Sequence, residues 1–395
     1  MKNNFILGLA IISMLFSCTT DDTADIVIND NSDNSTTIEG GNGGNTGETV
    51  YLSGTYTSDL TLDINNNYVI NGPLIMASGT TLTIPPCMTI EALAAGANVY
   101  VAIAQGAQID ANGTADCPIV FTSNATNPAA GDWGGLILLG RAPINSVTGS
   151  ATSTSEIASL PYGGTNEADN SGSLQYVRVE YGGGAADGQS ENNGFSFYGV
   201  GNGTTVNYIQ GYVGKDDGIE FFGGTVNASH ISMIGMEDDS VDWTEGFSGT
   251  LTDVYIEHMG DHDKGIEADG YNTDYSNAAG YYSKPTINNL HIVGLGSETG
   301  NEAVRLRAGT QGIFNNVLIE GFDEGFDLDG DSGDNPTGAG VISGDLHITD
   351  VTFNDVTTKV KNDTGVTFTE GDIITGDGNG TGTDYTSWGA GWTHE

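Results

Sequence analysis

Asp216-Asp217-Gly218-Ile219-Glu220, Asp238-Asp239-Ser240-Val241-Asp242, Asp263-Lys264-Gly265-Ile266-Glu267, Asn301-Glu302-Ala303-Val304-Arg305 and Asp323-Glu324-Gly325-Phe326-Asp327 are five copies of one phrase. Each runs two polar residues, a small one, an apolar one, then usually an acid. A weaker copy, Asn192-Asn193-Gly194-Phe195-Ser196, precedes them, and the small residues fall 24, 22, 25, 38 and 22 positions apart. A unit of this length cannot bury a core alone, so copies must stack, as in a solenoid.

The alternation inside the phrase says how. Ile219/Phe221, Val241/Trp243, Ile266/Ala268, Val304/Leu306 and Phe326/Leu328 share one face and should stack inside the coil. The intervening Glu220/Phe222, Asp242/Thr244, Glu267/Asp269, Arg305/Arg307 and Asp327/Asp329 should point outward. Strand-like runs recur from Val69–Met76 to Leu346–Phe353, separated by Gly, Asn and Asp turns rather than two-residue hairpins. Each strand therefore pairs with its own copy one turn away. The expected fold is all-β, a right-handed single-stranded parallel β-helix with capped ends. About thirteen coils at about 4.8 Å would make a rod of roughly 60 Å, and the segment Trp388-Gly389-Ala390-Gly391-Trp392 is expected to cover the last coil. No segment has a 3.6-residue period, so helices are not expected.

Outside the repeat the chain reads as address and tether. Residues 1–17 look like an export signal: Lys2, then an apolar run from Phe5 to Phe16 too short to span a bilayer. Leu15-Phe16-Ser17-Cys18 resembles a lipobox, which makes Cys18 the lipidation site, and Thr19-Thr20-Asp21-Asp22 resembles a surface-export signal. Residues 18–49 are acidic and rich in Gly and Asn, as in a disordered tether reaching roughly 30 Å; residues 50–395 form the β-helix domain. The expected location is the outer membrane, lipid-anchored and surface-exposed. A formal net charge of −42 repels nucleic acid and argues against polyanionic ligands unless a divalent cation intervenes.

Three longer phrases carry a resemblance: Gly131-Asp132-Trp133-Gly134-Gly135-Leu136-Ile137-Leu138-Leu139-Gly140, Ser173-Leu174-Gln175-Tyr176-Val177-Arg178-Val179-Glu180-Tyr181-Gly182-Gly183, and Asp217-Gly218-Ile219-Glu220-Phe221-Phe222-Gly223-Gly224-Thr225-Val226. They resemble a family of Bacteroidota surface lipoproteins similar in architecture to pectin-lyase-fold proteins. The resemblance implies the right-handed β-helix and export; it implies no catalytic residues.

Candidate site residues follow from the outward column. Glu220, Asp242 and Glu267 should lie about 5 Å apart on neighbouring coils, able to hold Ca²⁺ or to bond sugar hydroxyls. Asp269, Arg305 and Arg307 continue that face. The segment 269–285 breaks the period and brings Tyr271 and Tyr275 beside it, rings suited to stacking on sugars. Asp327, Asp329, Asp331 and Asp334 have the spacing of a loose Ca²⁺ loop, with Ser332 where an EF-hand has Gly. The Asx column Asn192, Asp216, Asp238, Asp263, Asn301, Asp323 reads as structural, each side chain bonding backbone two residues on. Cys87 and Cys117 are expected to form a disulfide, and the six histidines have no metal-ligand spacing.

The reading is a carbohydrate- or ligand-binding, Ca²⁺-assisted adhesive surface. Two alternatives stand beside it. One is a Ca²⁺-dependent polysaccharide lyase or glycoside hydrolase with Arg305 or Arg307 as working group, weighed against by the absence of Gly-His-Gly and Arg-Ile-Lys signatures. The other is a structural lipoprotein of an outer-membrane complex.

Overall fold

A computed structural model describes residues 47–185, 192–260, 262–329 and 337–394. The export signal, Cys18, all but the end of the tether, Asp331 and Asp334 lie outside the described residues.

The coils stack their strands in three parallel ladders, of which the second runs Val50–Tyr68–Ile90–Phe121–Val179–Gly211–Met233–Ile256–Ile292–Ile319–Phe353. The first runs through Thr61, Thr83, Asp110, Ser173 and Thr205, and continues through Val206, Ala228, Leu251, Ile287, Phe314, Ile348 and Ile374. The third, which carries the repeated phrase, runs Ile75–Ala102–Ile137–Ser196–Glu220–Asp242–Glu267–Arg305–Asp327–Lys361. The architecture is thus the right-handed parallel β-helix expected from the repeat. Among the described residues the first ladder stacks eleven strands rather than thirteen, and its ten spacings make about 48 Å. Segments that leave the coil, chiefly 141–171 and 270–285, use residues that further coils would have needed.

The core agrees with the alternation. Ile219, Phe221, Val241, Trp243, Ile266, Ala268, Val304, Leu306, Phe326 and Leu328 are at most 1% exposed. Between the first and second ladders the chain turns on one residue per coil held in the left-handed region: Tyr176, Tyr208, His230, Asp253, Asn289, Asn316 and Asp350, with φ from 50° to 57°. These positions drop out of the pairing register. Identical corners let their side chains stack, so Tyr208 lies parallel between Tyr176 at 4.2 Å and His230 at 4.0 Å. Further along, Asn289 donates to Asp253 at 3.0 Å and Asn316 to Asn289 at 2.8 Å.

The C-terminal segment corrects the expectation of an end cap. It runs back along the side of the helix as a strap over this stacked column. Thr383 donates to Asp253 (3.0 Å), Tyr385 stacks on Tyr255 (3.9 Å), and Trp388 and Trp392 meet His230 and Tyr176 edge-on. Arg178 donates to the Trp392 carbonyl at 2.8 Å. Aromatic corners give the two tryptophans a better burial partner than a coil end. That end is closed instead by two short helices, Thr337–Ser343 and Glu370–Ile373, through Val341 and Ile373. These helices, a third at Tyr385–Trp388, and an antiparallel pair Ser153–Thr154/Pro161–Tyr162 all depart from the sequence expectation. Each is seven residues or shorter, too brief to show a period. No helix among the described residues is long and apolar enough to cross a membrane. Near the other end, Cys87 and Cys117 are bonded through sulfur, 30 positions apart.

Candidate functional site

The outward side of the third ladder is not the open face the alternation suggests. Its first coils present Ala102, Ile137, Leu139, Tyr198 and Phe222, all apolar, and Ile144, Ile157 and Tyr162 from the excursion 141–162 fold over them as a second core. Phe222 is therefore buried although it points away from the coil interior, and Thr244, Glu267, Asp269 and Asp327 are buried further along the same side. Asn145 ties this cover to the second excursion by donating to the carbonyls of Gly270 and Tyr281, both at 2.8 Å.

Where the cover ends, a cleft of about 360 Å³ opens. It is lined by Glu156 from the cover, by Asp216, Asp217 and Glu220 from one coil, Asp238, Asp239 and Asp242 from the next, and Asp263, Lys264, Glu267 and Arg307 beyond. Nine carboxylates meet two cations. Carboxylate oxygens of Asp217, Glu220 and Asp242 come within 4.8 Å of one another, as do those of Asp239, Asp242 and Glu267.

Register explains the crowding. Glu220, Asp242 and Glu267 are direct partners on successive strands, so a β-helix sets like charges one strand spacing apart. Burial first, and then the neighbouring acids, push the carboxyls of Asp217, Glu220, Asp239 and Asp242 well above the usual carboxylate range. Asp242 keeps one buried oxygen, Oδ1, with no hydrogen-bond partner. Glu220 accepts from the Asn193 amide at 2.7 Å. Downstream the chain supplies its own countercharge. Lys264 lies 3.0 Å from Glu267 and 3.8 Å from Asp239, and Arg307 grips Asp269 at 2.7 Å and also pairs with Glu267. Burial works against charge on both cations, but these acids outweigh it and raise their pKa values further.

Of the residues expected from sequence, Glu220, Asp242, Glu267 and Arg307 line the cleft. Asp269 stands behind, holding Arg307. Arg305 lies further along and is bonded to Asp329 at 3.0 Å. Tyr271 packs against Tyr282, 6.3 Å between centroids, while Tyr275 is 55% exposed on the excursion and interacts with Glu156 at the cleft wall. Asp327, 1% exposed, pairs with Lys361 at 3.2 Å, so the described half of the expected Ca²⁺ loop already faces basic side chains. Arg305 and Arg307, the working groups of the lyase alternative, are both held by carboxylates, Asp329 and Asp269.

Asp216, Asp238 and Asp263 line the cleft although the sequence placed them in a purely structural column. Their neighbours make backbone bonds that cross coils: Asp239 N–H donates to Asp217 Oδ1 (3.1 Å), and Lys264 N–H to Asp239 Oδ1 (3.0 Å). Asp217 and Asp239 were not among the expected site residues; their signal was the acid directly before the small residue. Glu156 left no signal, because nothing in its surroundings repeats.

Glu245 was also missed. It is fully buried with φ 51°, at a corner that Gly199 and Gly223 form in the two preceding coils. A left-handed glutamate where glycine serves elsewhere is strained. Its Oε2 accepts from Tyr162 (2.9 Å) and Ser146 (3.3 Å), its carbonyl accepts from Asn145 N–H (2.9 Å), and Oε1 has no partner. Burial raises its carboxyl to about 7.

Comparison with known proteins gives one match. Residues 54–393 fit the family described as pectate-lyase like beta helix domain. No curated protein and no solved structure matches the chain.

Proposed function

We propose, for a chain that belongs to the pectate-lyase-like β-helix family, an exported, lipid-anchored surface protein whose acidic cleft binds carbohydrate through a divalent cation such as Ca²⁺. The family supports a carbohydrate-related role. The observation that carries the finer reading is the charge ledger of the cleft: nine carboxylates against Lys264 and Arg307. Both cations sit on its downstream side, so the coils of Glu220 and Asp242 have the least internal compensation. A ligand entering there must bring positive charge. A hard cation with free coordination positions does so and still binds sugar hydroxyls, and Tyr275 stands beside the wall for a sugar face to stack upon.

Glycan-array binding by the purified protein, with Ca²⁺ and then with EDTA, tests the reading. Binding that EDTA abolishes, without release of new reducing ends or unsaturated sugars, supports it. Product release would make the protein an enzyme. Absence of glycan binding, with co-purification of outer-membrane proteins, would replace the reading with a structural accessory role. Incorporation of a labelled fatty acid that is lost in Cys18→Ala tests the anchor.

A further inference from the structure

We propose that Lys264 is the resident cation of the downstream half of the cleft, leaving room for one exchangeable divalent cation at Asp217, Glu220 and Asp242. The inference rests on the cation reading of the cleft and adds where the ion sits and how many enter.

The cleft acids form two copies of one arrangement. Asp217, Glu220 and Asp242 bring carboxylate oxygens within 4.8 Å of one another, and so do Asp239, Asp242 and Glu267. Strand pairing relates the two triads: Glu220 lies opposite Asp242, and Asp242 opposite Glu267. In each triad the first member stands two residues before a paired inward residue, Asp217 before Ile219 and Asp239 before Val241. The same place in the next coil, before Ile266, is held by Lys264.

That lysine acts on the downstream triad. It is 6% exposed, and its ammonium lies 2.5 Å from Asp263, 3.0 Å from Glu267 and 3.8 Å from Asp239. Two of the three downstream acids thus already face a positive charge, and Arg307 pairs with Glu267 as well. A buried ammonium is held in place by such partners. A second ion entering here would have to displace a cation tethered to the chain, or sit against its like charge.

The upstream triad has no tethered cation. One coil earlier the place of Lys264 is taken by an acid, Asp239. Among the described residues no lysine or arginine forms an ion pair with Asp217, Glu220 or Asp242. Asp242 belongs to both triads, and its buried Oδ1 has no hydrogen-bond partner. A hard cation upstream would take that oxygen as a ligand.

The test counts radiolabelled Ca²⁺ bound to the full chain at pH 8 by equilibrium dialysis. The baseline is Glu220→Gln/Asp242→Asn, which cuts into both triads. Above it, wild type should hold one ion per chain and Lys264→Gln two, while Lys264→Arg, which keeps the charge, should return to one. An unchanged count in Lys264→Gln, or two ions in wild type, overturns the inference and leaves the cation reading standing. An ion in Lys264→Gln with none in wild type upholds the role of Lys264 and overturns that reading instead. No ion in any form overturns both. Should Lys264→Gln fail to fold, judged by near-ultraviolet dichroism, Asp217→Asn decides. Asparagine retains the Oδ1 that accepts from Asp239 N–H at 3.1 Å but not the charge, so the wild-type ion should be lost. An ion retained at wild-type affinity overturns the inference.

Discussion

Glu245 should make this protein more stable in mild acid than at alkaline pH. The perturbation is a pH series from 4.5 to 8.5, applied to wild type and to Glu245→Gln. In the unfolded chain the carboxyl loses its proton near 4.5; in the folded chain, buried beneath Tyr162 and the cover, it holds the proton to about 7. The native state therefore binds more protons across that window, and stability falls as pH rises. The contribution is fully present below pH 4.5 and is lost as the pH passes through 7. At about 1.4 kcal/mol per pH unit, a rise from 4.5 to about 7 corresponds to ~3 kcal/mol. The cleft acids Asp217, Glu220, Asp239 and Asp242 are shifted in the same direction and add to the slope. Glutamine cannot titrate, although its amide would put an unsatisfied donor where Oε1 now lies, so the variant starts from lower absolute stability. The diagnostic quantity is the difference between the two proteins. Urea unfolding should show the wild-type advantage shrinking by about 3 kcal/mol from pH 4.5 to 8.5. A constant difference, or a wild type that gains stability with rising pH, would refute the burial argument.

Three further outcomes are expected. Glu220→Gln/Asp242→Asn should stabilise the metal-free protein at pH 8 by about 1–3 kcal/mol, since two like charges one strand spacing apart are removed, and should abolish the Ca²⁺ dependence of its melting temperature. Trp392→Ala should cost about 3–5 kcal/mol and collapse the near-ultraviolet dichroism of the aromatic column, because Trp392 is fully buried at the end of the strap; an unchanged spectrum would mean that the strap does not dock. Reduction of the Cys87–Cys117 bond, which closes a 30-residue separation, should lower unfolding free energy by about 3.5 kcal/mol on chain-entropy grounds, read by denaturant titration with and without reductant.

What the sequence shows and hides follows from the fold's own repetition. The inward positions Phe221, Trp243 and Phe326 and the column Glu220–Asp242–Glu267 were legible because the same demand recurs in each coil. The left-handed corner was not read from the sequence, although Leu174-Gln175-Tyr176-Val177, Val206-Asn207-Tyr208-Ile209 and Leu251-Thr252-Asp253-Val254 carry its signal. There the apolar residues stand three apart, which a straight strand does not allow. Features that occur once were not legible. The cover that buries Phe222, the placement of Glu156 and the path of the strap depend on contacts across long separations, such as Asn145 with Gly270 and Trp392 with Arg178. A period found by comparing neighbouring coils carries no information about segments that leave the coil.

The third ladder then explains why the cleft lies where it does. Read along the stack, its outward positions change from Thr55 at the first strand to apolar residues (Ile75, Ala102, Ile137), through Ser196 to three acids, then to Arg305, Asp327 and Lys361. The apolar stretch draws the cover by the same burial that drives the interior. The alternating stretch balances its own charge through Arg305 with Asp329 and Lys361 with Asp327. Only the middle combines partial burial with an excess of one sign. Desolvation raises the cost of that charge, and the rigid pairing of the strands prevents the acids from separating. The unliganded protein can lower this cost only by retaining protons; a bound cation would lower it while leaving the carboxylates charged. Proton release on cation addition at pH 6, measured in weak buffer, should therefore accompany binding. Binding without proton release would place the cation elsewhere.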